Sequence, residues 1–289
     1  MRILITGVRG FLGKSLLPLV SDNELLLLNR LPLHLSSLNH IELIGDLSKP
    51  ELWSKQVLDF DPECCIHLAW DGLPDYSLRK CTINITNSLR LLEVLQETSI
   101  KRIVVSGSCW EYGNVSGSTD ENTLPANPGL FASSKEAIRI MFSNLAAKKD
   151  IDLYWARLFF LYGPGQRSTS LIPYLYSSLL ANNVPALKEP GSIQDFLYID
   201  DAADAIYKLC TKNCLPGIYN IGSGVGTKVS DIANLVALKV KGEAFTPTTS
   251  VSLGFWADST KIFEQTGWTA NTSLENGLVK TIEAFGQVS

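Results

Sequence analysis

The sequence predicts an α/β fold whose main part is a doubly wound parallel sheet. In the first half of the chain, short apolar runs alternate with helical patterns, an order typical of a parallel sheet with helices on both faces. The runs are apolar at nearly every position, as expected for strands covered on both sides. After residue 160, closely spaced glycines and prolines break the chain into shorter pieces. We therefore expect a Rossmann-type domain at residues 1–160 and a smaller mixed α/β domain at 161–289, with segments that return to the first sheet.

The individual elements follow from the same patterns. Apolar runs predict strands at residues 3–6, 25–28, 41–44, 64–69, 103–106 and 153–158. Apolar side chains at helical spacing predict helices at residues 11–20, 80–97 and 133–148. No internal repeat or low-complexity segment interrupts this order.

Composition narrows the classes of partner. The 289 residues are 45% hydrophobic and 19% charged, with a net charge of −4 and no basic stripe, so we expect no nucleic-acid partner. The longest apolar run is far shorter than the ~20 residues of a membrane span, and the chain opens on a strand pattern without a leader, so we expect no membrane partner and a cytoplasmic location. Six irregularly spaced cysteines and three histidines predict neither disulfides nor a metal site.

A glycine motif directly follows the first predicted strand. Gly7, Gly10 and Gly13 are spaced G-x-x-G-x-x-G where the first helix begins. Glycines there permit a tight turn and a close backbone approach, and a helix N-terminus attracts a pyrophosphate. The motif favours a nucleotide cofactor; the alternative is a glycine-rich turn without a ligand.

The G-x-x-G-x-x-G spacing resembles that of the NAD-dependent epimerase/dehydratase family. This family is the extended, nucleotide-sugar-modifying branch of the short-chain dehydrogenase/reductase superfamily. Further blocks of the chain are similar to this family and stand in its order: G-D-L at 45–47, H-L-A at 67–69, S-G-S-C-W-E-Y-G at 106–113, R-L-F-F-L-Y-G-P-G at 157–165, Q-D-F-L-Y-I-D-D at 194–201 and Y-N-I-G-S-G at 219–224. The resemblance covers nearly the whole chain. It implies cofactor contacts from Gly7, Arg9, Gly10, Phe11, Leu12, Gly13, Asn29, Arg30, Asp46, Leu47, Leu68, Ala69 and Lys135.

The end of the second predicted strand bears on the choice of cofactor. An acidic residue there would bond the ribose 2′-hydroxyl of NAD, but the strand ends in Asn29-Arg30. A guanidinium suits a 2′-phosphate, and Arg9 could add a second charge. We therefore expect NADP. The alternative is NAD, with Asn29 serving the ribose and Arg30 as a solvated loop charge.

The segment F-A-S-S-K at 131–135 resembles the Tyr-x-x-x-Lys motif of the superfamily without the tyrosine hydroxyl. The resemblance places Ser108, Phe131 and Lys135 at the catalytic positions, yet phenylalanine has no proton to transfer. Three explanations stay open: a deliberate replacement of tyrosine, another acid, or a binding or regulatory relative without turnover. The candidate acids are Tyr112, Glu111, Asp71 and Asp75.

The resemblance implies an oxidoreductase that acts on a nucleotide-linked sugar, with reduction of a 4-keto-6-deoxyhexose in polysaccharide or antibiotic biosynthesis as the leading hypothesis. The alternative is an epimerase or dehydratase, although Cys109 and Trp110 stand where dehydratases carry an Asp-Glu pair. Substrate contacts are expected from Trp70, Ser108, Cys109, Trp110, Phe160, Gln194 and Asp195. By the same resemblance, the helices at 80–97 and 133–148 would form a homodimer interface.

Overall fold

The structure is a computed structural model that describes residues 1–33, 40–245, 247 and 253–286. Its strands, in chain order, are β1 (Arg2–Thr6), β2 (Glu24–Asn29), β3 (His40–Ile44), β4 (Cys64–His67), β5 (Arg102–Ser108), β6 (Gly117–Thr119), β7 (Asp152–Leu158), β8 (Phe160–Tyr162), β9 (Ile193–Tyr198), β10 (Gly217–Ile221), β11 (Gly226–Lys228) and β12 (Phe255–Ala257). Its α-helices are α1 (Phe11–Leu16), α2 (Ser54–Phe60), α3 (Leu78–Leu95), α4 (Leu130–Lys149), α5 (Leu171–Leu180), α6 (Ile199–Thr211), α7 (Val229–Lys241), α8 (Thr260–Thr266) and α9 (Leu274–Gly286).

Seven strands form one parallel sheet in the order β10-β7-β5-β4-β1-β2-β3. Alternate residues of a strand point to opposite faces. Ile3 and Ile5 of β1 accordingly lie in one hydrophobic core, and Leu4 lies in another on the opposite side of the sheet. Each central strand is covered by helices on both faces, which explains why the strands are apolar at nearly every position. The predicted doubly wound α/β fold is confirmed.

Two smaller sheets follow the main one. One has the order β11-β9-β8, and the other pairs β12 with β6. The chain does not separate cleanly at residue 160, because β10 pairs with β7 in the large sheet and α6 packs against α1. The boundary between 160 and 161 stays a prediction, and these two elements of the second half belong structurally with the first.

Several element boundaries differ from the prediction for local reasons. The helix expected at 11–20 is α-helical only to Leu16 and continues as a 3₁₀ turn, Leu17–Val20, because Pro18 has no N–H to donate. The strand expected at 64–69 ends at His67. The helix expected at 80–97 begins earlier, since the Ser77 hydroxyl caps it by accepting a hydrogen bond from the Lys80 N–H.

The helix expected at 133–148 also begins earlier, at Leu130, so that Phe131 lies in its first turn and Lys135 in its second. Within the described residues, no helix is both long and apolar enough to cross a bilayer.

Candidate functional site

A cavity of about 600 Å³ lies at the carboxyl ends of β1, β2 and β4. The order of the sheet reverses between β1 and β4, which is where ligands bind in open α/β sheets. Its walls include most of the residues expected to contact a cofactor, namely Gly7, Arg9, Gly10, Asn29, Arg30, Asp46, Leu47, Leu68 and Ala69. The predicted contacts Phe11, Leu12, Gly13 and Lys135 lie outside this lining.

The glycine motif brings the turn after β1 against the chain after β4. Gly7 has φ +77°, and a Cβ on it would lie 2.6 Å from the Ala69 nitrogen. A Cβ on Gly13 would lie 2.5 Å from the Val8 Cα, which explains why this glycine packs the helix on the turn rather than facing the cavity. Leu12 is likewise buried in the core. The side chain of Leu12 therefore does not reach the cavity, and the expected cofactor contacts of Leu12 and Gly13 stay predictions.

Charged groups on the rim of the cavity are paired with one another. The Arg30 guanidinium lies 2.7 Å from one Asp71 oxygen, and the Lys80 ammonium donates to the other. These hydrogen bonds, that of Lys80 first, hold the pKa of Asp71 below its ordinary value despite partial burial. Arg9 donates to the Pro32 carbonyl at 2.6 Å, and the Asn29 amide is mostly buried and donates to Leu27 O. The charge of Arg30 is therefore already paired with a carboxylate, whereas Arg9 bonds only a backbone carbonyl.

Trp70 lines the cavity and carries a donor without a partner. Its buried indole Nε1 makes no hydrogen bond with any residue that the structure describes. Such an orphaned N–H is rare in a folded protein unless a ligand or water satisfies it. The glycine turn also suits a dinucleotide, and the volume of the cavity lies in the usual range for cofactor sites. The residues around the cavity therefore fit a nicotinamide dinucleotide.

Lys135 lies beneath Trp70. Its ammonium donates to the Ser106 carbonyl at 2.7 Å and sits 4.4 Å from the centre of the Trp70 ring system. Burial lowers the pKa of Lys135 to about 8, partly opposed by the charge of Glu111. The neighbouring His67 is buried as well, and burial together with the Lys135 charge lowers its pKa to about 3. At neutral pH the lysine therefore carries the positive charge of this region and the imidazole does not.

Phe131 belongs to a group of four rings that we call the aromatic cluster, formed by Trp70, Tyr76, Trp110 and Phe131. The Phe131 ring centre lies 5.0 Å from that of Trp70, 5.2 Å from that of Tyr76 and 5.8 Å from that of Trp110. Tyr76 and Trp110 also contact each other, at 5.3 Å. Sequence reasoning missed Tyr76, because it lies in the irregular segment between β4 and α3, whose course the sequence does not indicate.

Ser108 ends β5 and is fixed by a buried carboxylate. The Ser108 N–H donates to Glu111 at 2.7 Å, and its hydroxyl oxygen accepts from the Trp110 N–H. Glu111 also accepts from the Trp155 indole and lies 2.9 Å from the Arg157 guanidinium, with almost no exposed surface. Burial raises the pKa of Glu111, although the Arg157 charge opposes this. Glu111 thus anchors the turn after β5 and does not face the cavity as a free acid.

The other predicted site residues differ in their access to solvent. Trp110 is 40% exposed, and Phe160 and Gln194 are half-buried. Cys109 is buried in a small apolar core. Asp195 is fully buried, and its carboxylate accepts hydrogen bonds from Ser223 N and Oγ, Gly224 N and Ala257 N at 2.6–3.1 Å. Direct substrate contacts from Cys109 and Asp195 do not fit these surroundings; Asp195 instead ties together three segments beside the site.

Comparison with known proteins identifies the family of this chain. A model of the family described as "NAD dependent epimerase/dehydratase family" matches residues 3–222. The chain belongs to this family. The family predicted from the sequence is confirmed. The class of enzyme is confirmed with it: an NAD-dependent enzyme of the nucleotide-sugar epimerase/dehydratase family.

Relatives in the family match over nearly the full chain at low identity. A UDP-glucose 4-epimerase from Mycolicibacterium smegmatis is 23% identical over 99% of this chain and 98% of its own. A dTDP-glucose 4,6-dehydratase from Streptomyces niveus is 25% identical over 99% and 93%. Among solved structures, MoeE5 in complex with UDP-glucuronic acid and NAD aligns with a TM-score of 0.88 and 24% identity, covering 100% of both chains. The fold of the family is thus shared from end to end.

Proposed function

We propose that the protein reduces the ketone of a nucleotide-linked 4-keto-6-deoxyhexose with a nicotinamide dinucleotide held in the cavity. The observation that carries this proposal is the turn after Ser108. A buried thiol, Cys109, and an aromatic ring, Trp110, follow the serine, and neither can act as the acid or base that elimination of water requires. Reduction of a carbonyl involves no elimination and needs no acid or base at these two positions, because a bound nicotinamide would supply the hydride and another group could supply the proton.

The chain's own residues suit this role. The glycine turn and the segment 68–70 would hold the dinucleotide, and the charged Lys135 is fixed between Ser106 and Trp70. The hydroxyl oxygen of Ser108 accepts from the Trp110 N–H, which leaves the hydroxyl proton available to a substrate oxygen. A carbonyl so held is oriented and polarised at once.

Epimerisation is the second candidate, and it is favoured by the printed activities of relatives such as the Mycolicibacterium enzyme. An epimerase must return the hydride to the opposite face of the same carbonyl, so the intermediate needs room to present both faces. Three rings surround residue 131, and this crowding supports simple reduction. For the cofactor we favour NAD over the NADP expected from the sequence, because Asp71 already matches the charge of Arg30.

A homodimer formed through α3 and α4 is retained as part of the proposal. The two helices pack together, and they carry exposed apolar side chains at Leu78, Ile140 and Met141. Exposed apolar side chains on adjacent helices support an interface between protomers. Light scattering at working concentration would give twice the mass of the chain, and a monomeric mass would contradict it.

The experiment follows absorbance of NADH and NADPH with UDP-4-keto-6-deoxy-D-glucose and its dTDP counterpart as probes. A reductase consumes reduced cofactor in proportion to the sugar. An epimerase interconverts nucleotide sugars without net consumption, and chromatography of the product would reveal it. If neither the protein nor its Phe131→Tyr variant turns over while both bind NADH, the protein is a binding relative and the proposal is wrong.

A further inference from the structure

Reduction of a ketone needs a proton for the oxygen as well as a hydride for the carbon, and Phe131 cannot provide one. The acids that the sequence suggested are committed elsewhere. Glu111 is buried in its contacts with Arg157 and Trp155. The Tyr112 hydroxyl donates to Asn220 at 2.7 Å, its ring is fully buried, and burial raises its pKa to about 12.

The two aspartates are also engaged. Asp71 is paired with both Arg30 and Lys80, and hydrogen bonds hold its pKa low, so it carries no proton at neutral pH. Asp75 accepts from the Ser77 N–H, and hydrogen bonds to Ser77 lower its pKa as well. Neither carboxylate is a proton donor at neutral pH.

Tyr76 differs from these four groups. Of the three rings that contact Phe131 among the described residues, Tyr76 is the one with an acidic hydroxyl. Its ring is half-buried against Phe131 and Trp110, and its hydroxyl makes no hydrogen bond with any described residue. A phenol with an apolar body packed on residue 131 and a free polar tip is placed to serve a ligand bound beside that residue.

The segment that carries Tyr76 is held at both ends. On one side, the Asp71 N–H donates to the Asn84 side chain at 2.7 Å, and the Asn84 amide donates back to the Asp71 carbonyl. On the other side, Ser77 caps α3. Between them the Asp75 N–H donates to Gly72 O at 2.7 Å. The phenol is therefore positioned by backbone contacts before any ligand arrives, which is what an acid in proton transfer requires.

We propose that Tyr76 donates the proton that the residue at position 131 cannot. The inference rests on the proposed reduction. In that step, the carbonyl carbon would accept a hydride from a bound reduced nicotinamide, which would thereby be oxidised. The electron pair of the C=O π bond would form the new O–H bond with the phenol proton of Tyr76, and the phenolate would regain its proton from water.

The test compares the protein with Tyr76→Phe, Phe131→Tyr and the double variant, with UDP- and dTDP-4-keto-6-deoxyglucose as probes. Loss of general acid assistance is expected to lower kcat of Tyr76→Phe by ~10²–10⁴-fold, with KM changed by less than about threefold. Phe131→Tyr in the Tyr76→Phe background is expected to restore at least about tenfold, since a phenol returns one helical turn before Lys135. Tyr176→Phe is the matched control, because it removes the hydroxyl of a tyrosine in α5 whose ring packs on Phe285 of α9, and it is expected to leave kcat within about twofold.

A second readout does not depend on turnover. Binding of UDP-glucose to the NADH-loaded protein is expected to give a near-ultraviolet tyrosine difference spectrum, because the phenol changes its hydrogen bonding. Tyr76→Phe loses this signal, and Tyr176→Phe keeps it.

The outcomes separate the two proposals. If the unaltered protein reduces a probe and Tyr76→Phe matches its kcat, the donor is another group and the assignment of Tyr76 is wrong while the proposed function stands. An unchanged difference spectrum in Tyr76→Phe would count against it in the same way. If none of the proteins, including Phe131→Tyr, consumes reduced cofactor, both the proposed function and the role of Tyr76 are overturned.

Discussion

Replacing Lys135 by methionine is expected to alter stability in a way that depends on pH. The pKa of Lys135 falls from its ordinary 10.5 to about 8 because the ammonium is buried. One pKa unit corresponds to about 1.4 kcal/mol, so the charged amine costs the folded state about 3 kcal/mol relative to the neutral amine. Methionine keeps the length of the side chain and removes this cost.

One favourable contact that does not depend on the charge is lost in the same variant. The hydrogen bond to Ser106 O contributes about 1 kcal/mol, whereas the attraction between the ammonium and the Trp70 ring exists only in the charged form and is part of what the folded-state pKa reflects. At pH 7 we therefore expect Lys135→Met to be about 2 kcal/mol more stable than the unaltered protein, although its function is lost. The folded-state pKa is depressed, so between pH 8 and 10.5 the unfolded chain binds more protons and the unaltered protein gains stability as pH rises. At the top of this window Lys135 is neutral, and the variant is expected to be the less stable by about 1 kcal/mol.

The assay is urea unfolding at a series of pH values from 7 to 10.5, followed by tryptophan fluorescence. The change in the stability difference across the window, about 3 kcal/mol, is the decisive quantity, because other titrating groups cancel between the two proteins. Lys148→Met, at an exposed position of the same helix, is the control and is expected to stay within about 0.5 kcal/mol. A difference that does not vary with pH would refute the assignment of a depressed pKa to Lys135.

Two further outcomes follow from charge pairs. Arg157→Met leaves the buried Glu111 carboxylate without its cation and is expected to lower the free energy of unfolding by about 3–5 kcal/mol. The control, Arg167→Met at an exposed position, is expected to change it by less than about 0.5 kcal/mol. Equal losses in the two variants would contradict the buried ion pair. Asp71→Asn removes the carboxylate that matches Arg30 and is expected to improve the Kd for NADPH relative to NADH by about tenfold in fluorescence titrations. An unaltered protein that already binds NADPH more tightly would contradict our preference for NAD.

The fold was predictable because its determinants are local. Apolar runs and glycine spacing lie in consecutive residues, and they indicate strands, helices and the turn after β1 without knowledge of what packs on them. Helix boundaries were less accurate where a single contact decides them, as with the Ser77 cap and Pro18. The return of β10 to the main sheet is a pairing between strands about 60 residues apart, and its partner strand cannot be read from the sequence.

The site was predictable only in part. Residues in the glycine turn and at strand ends were located because motif and position coincide. The environments of Glu111 and Asp195 depend on partners such as Arg157 and Ser223, which are distant in the sequence, so their burial was not foreseen. Tyr76 belongs to no regular element, and its contact with Phe131 exists only because α3 and α4 pack side by side.

The place of β10 at one end of the seven-stranded sheet has a consequence for synthesis on the ribosome. When residues 1–160 have emerged, β7 is complete but one of its edges has no neighbour, and its backbone donors and acceptors can template pairing with another nascent chain. That edge stays open until β10 is made, about 60 residues later, which at ~5–20 residues per second takes several seconds. The interval between the two strands is thus the period in which the growing polypeptide most needs a chaperone.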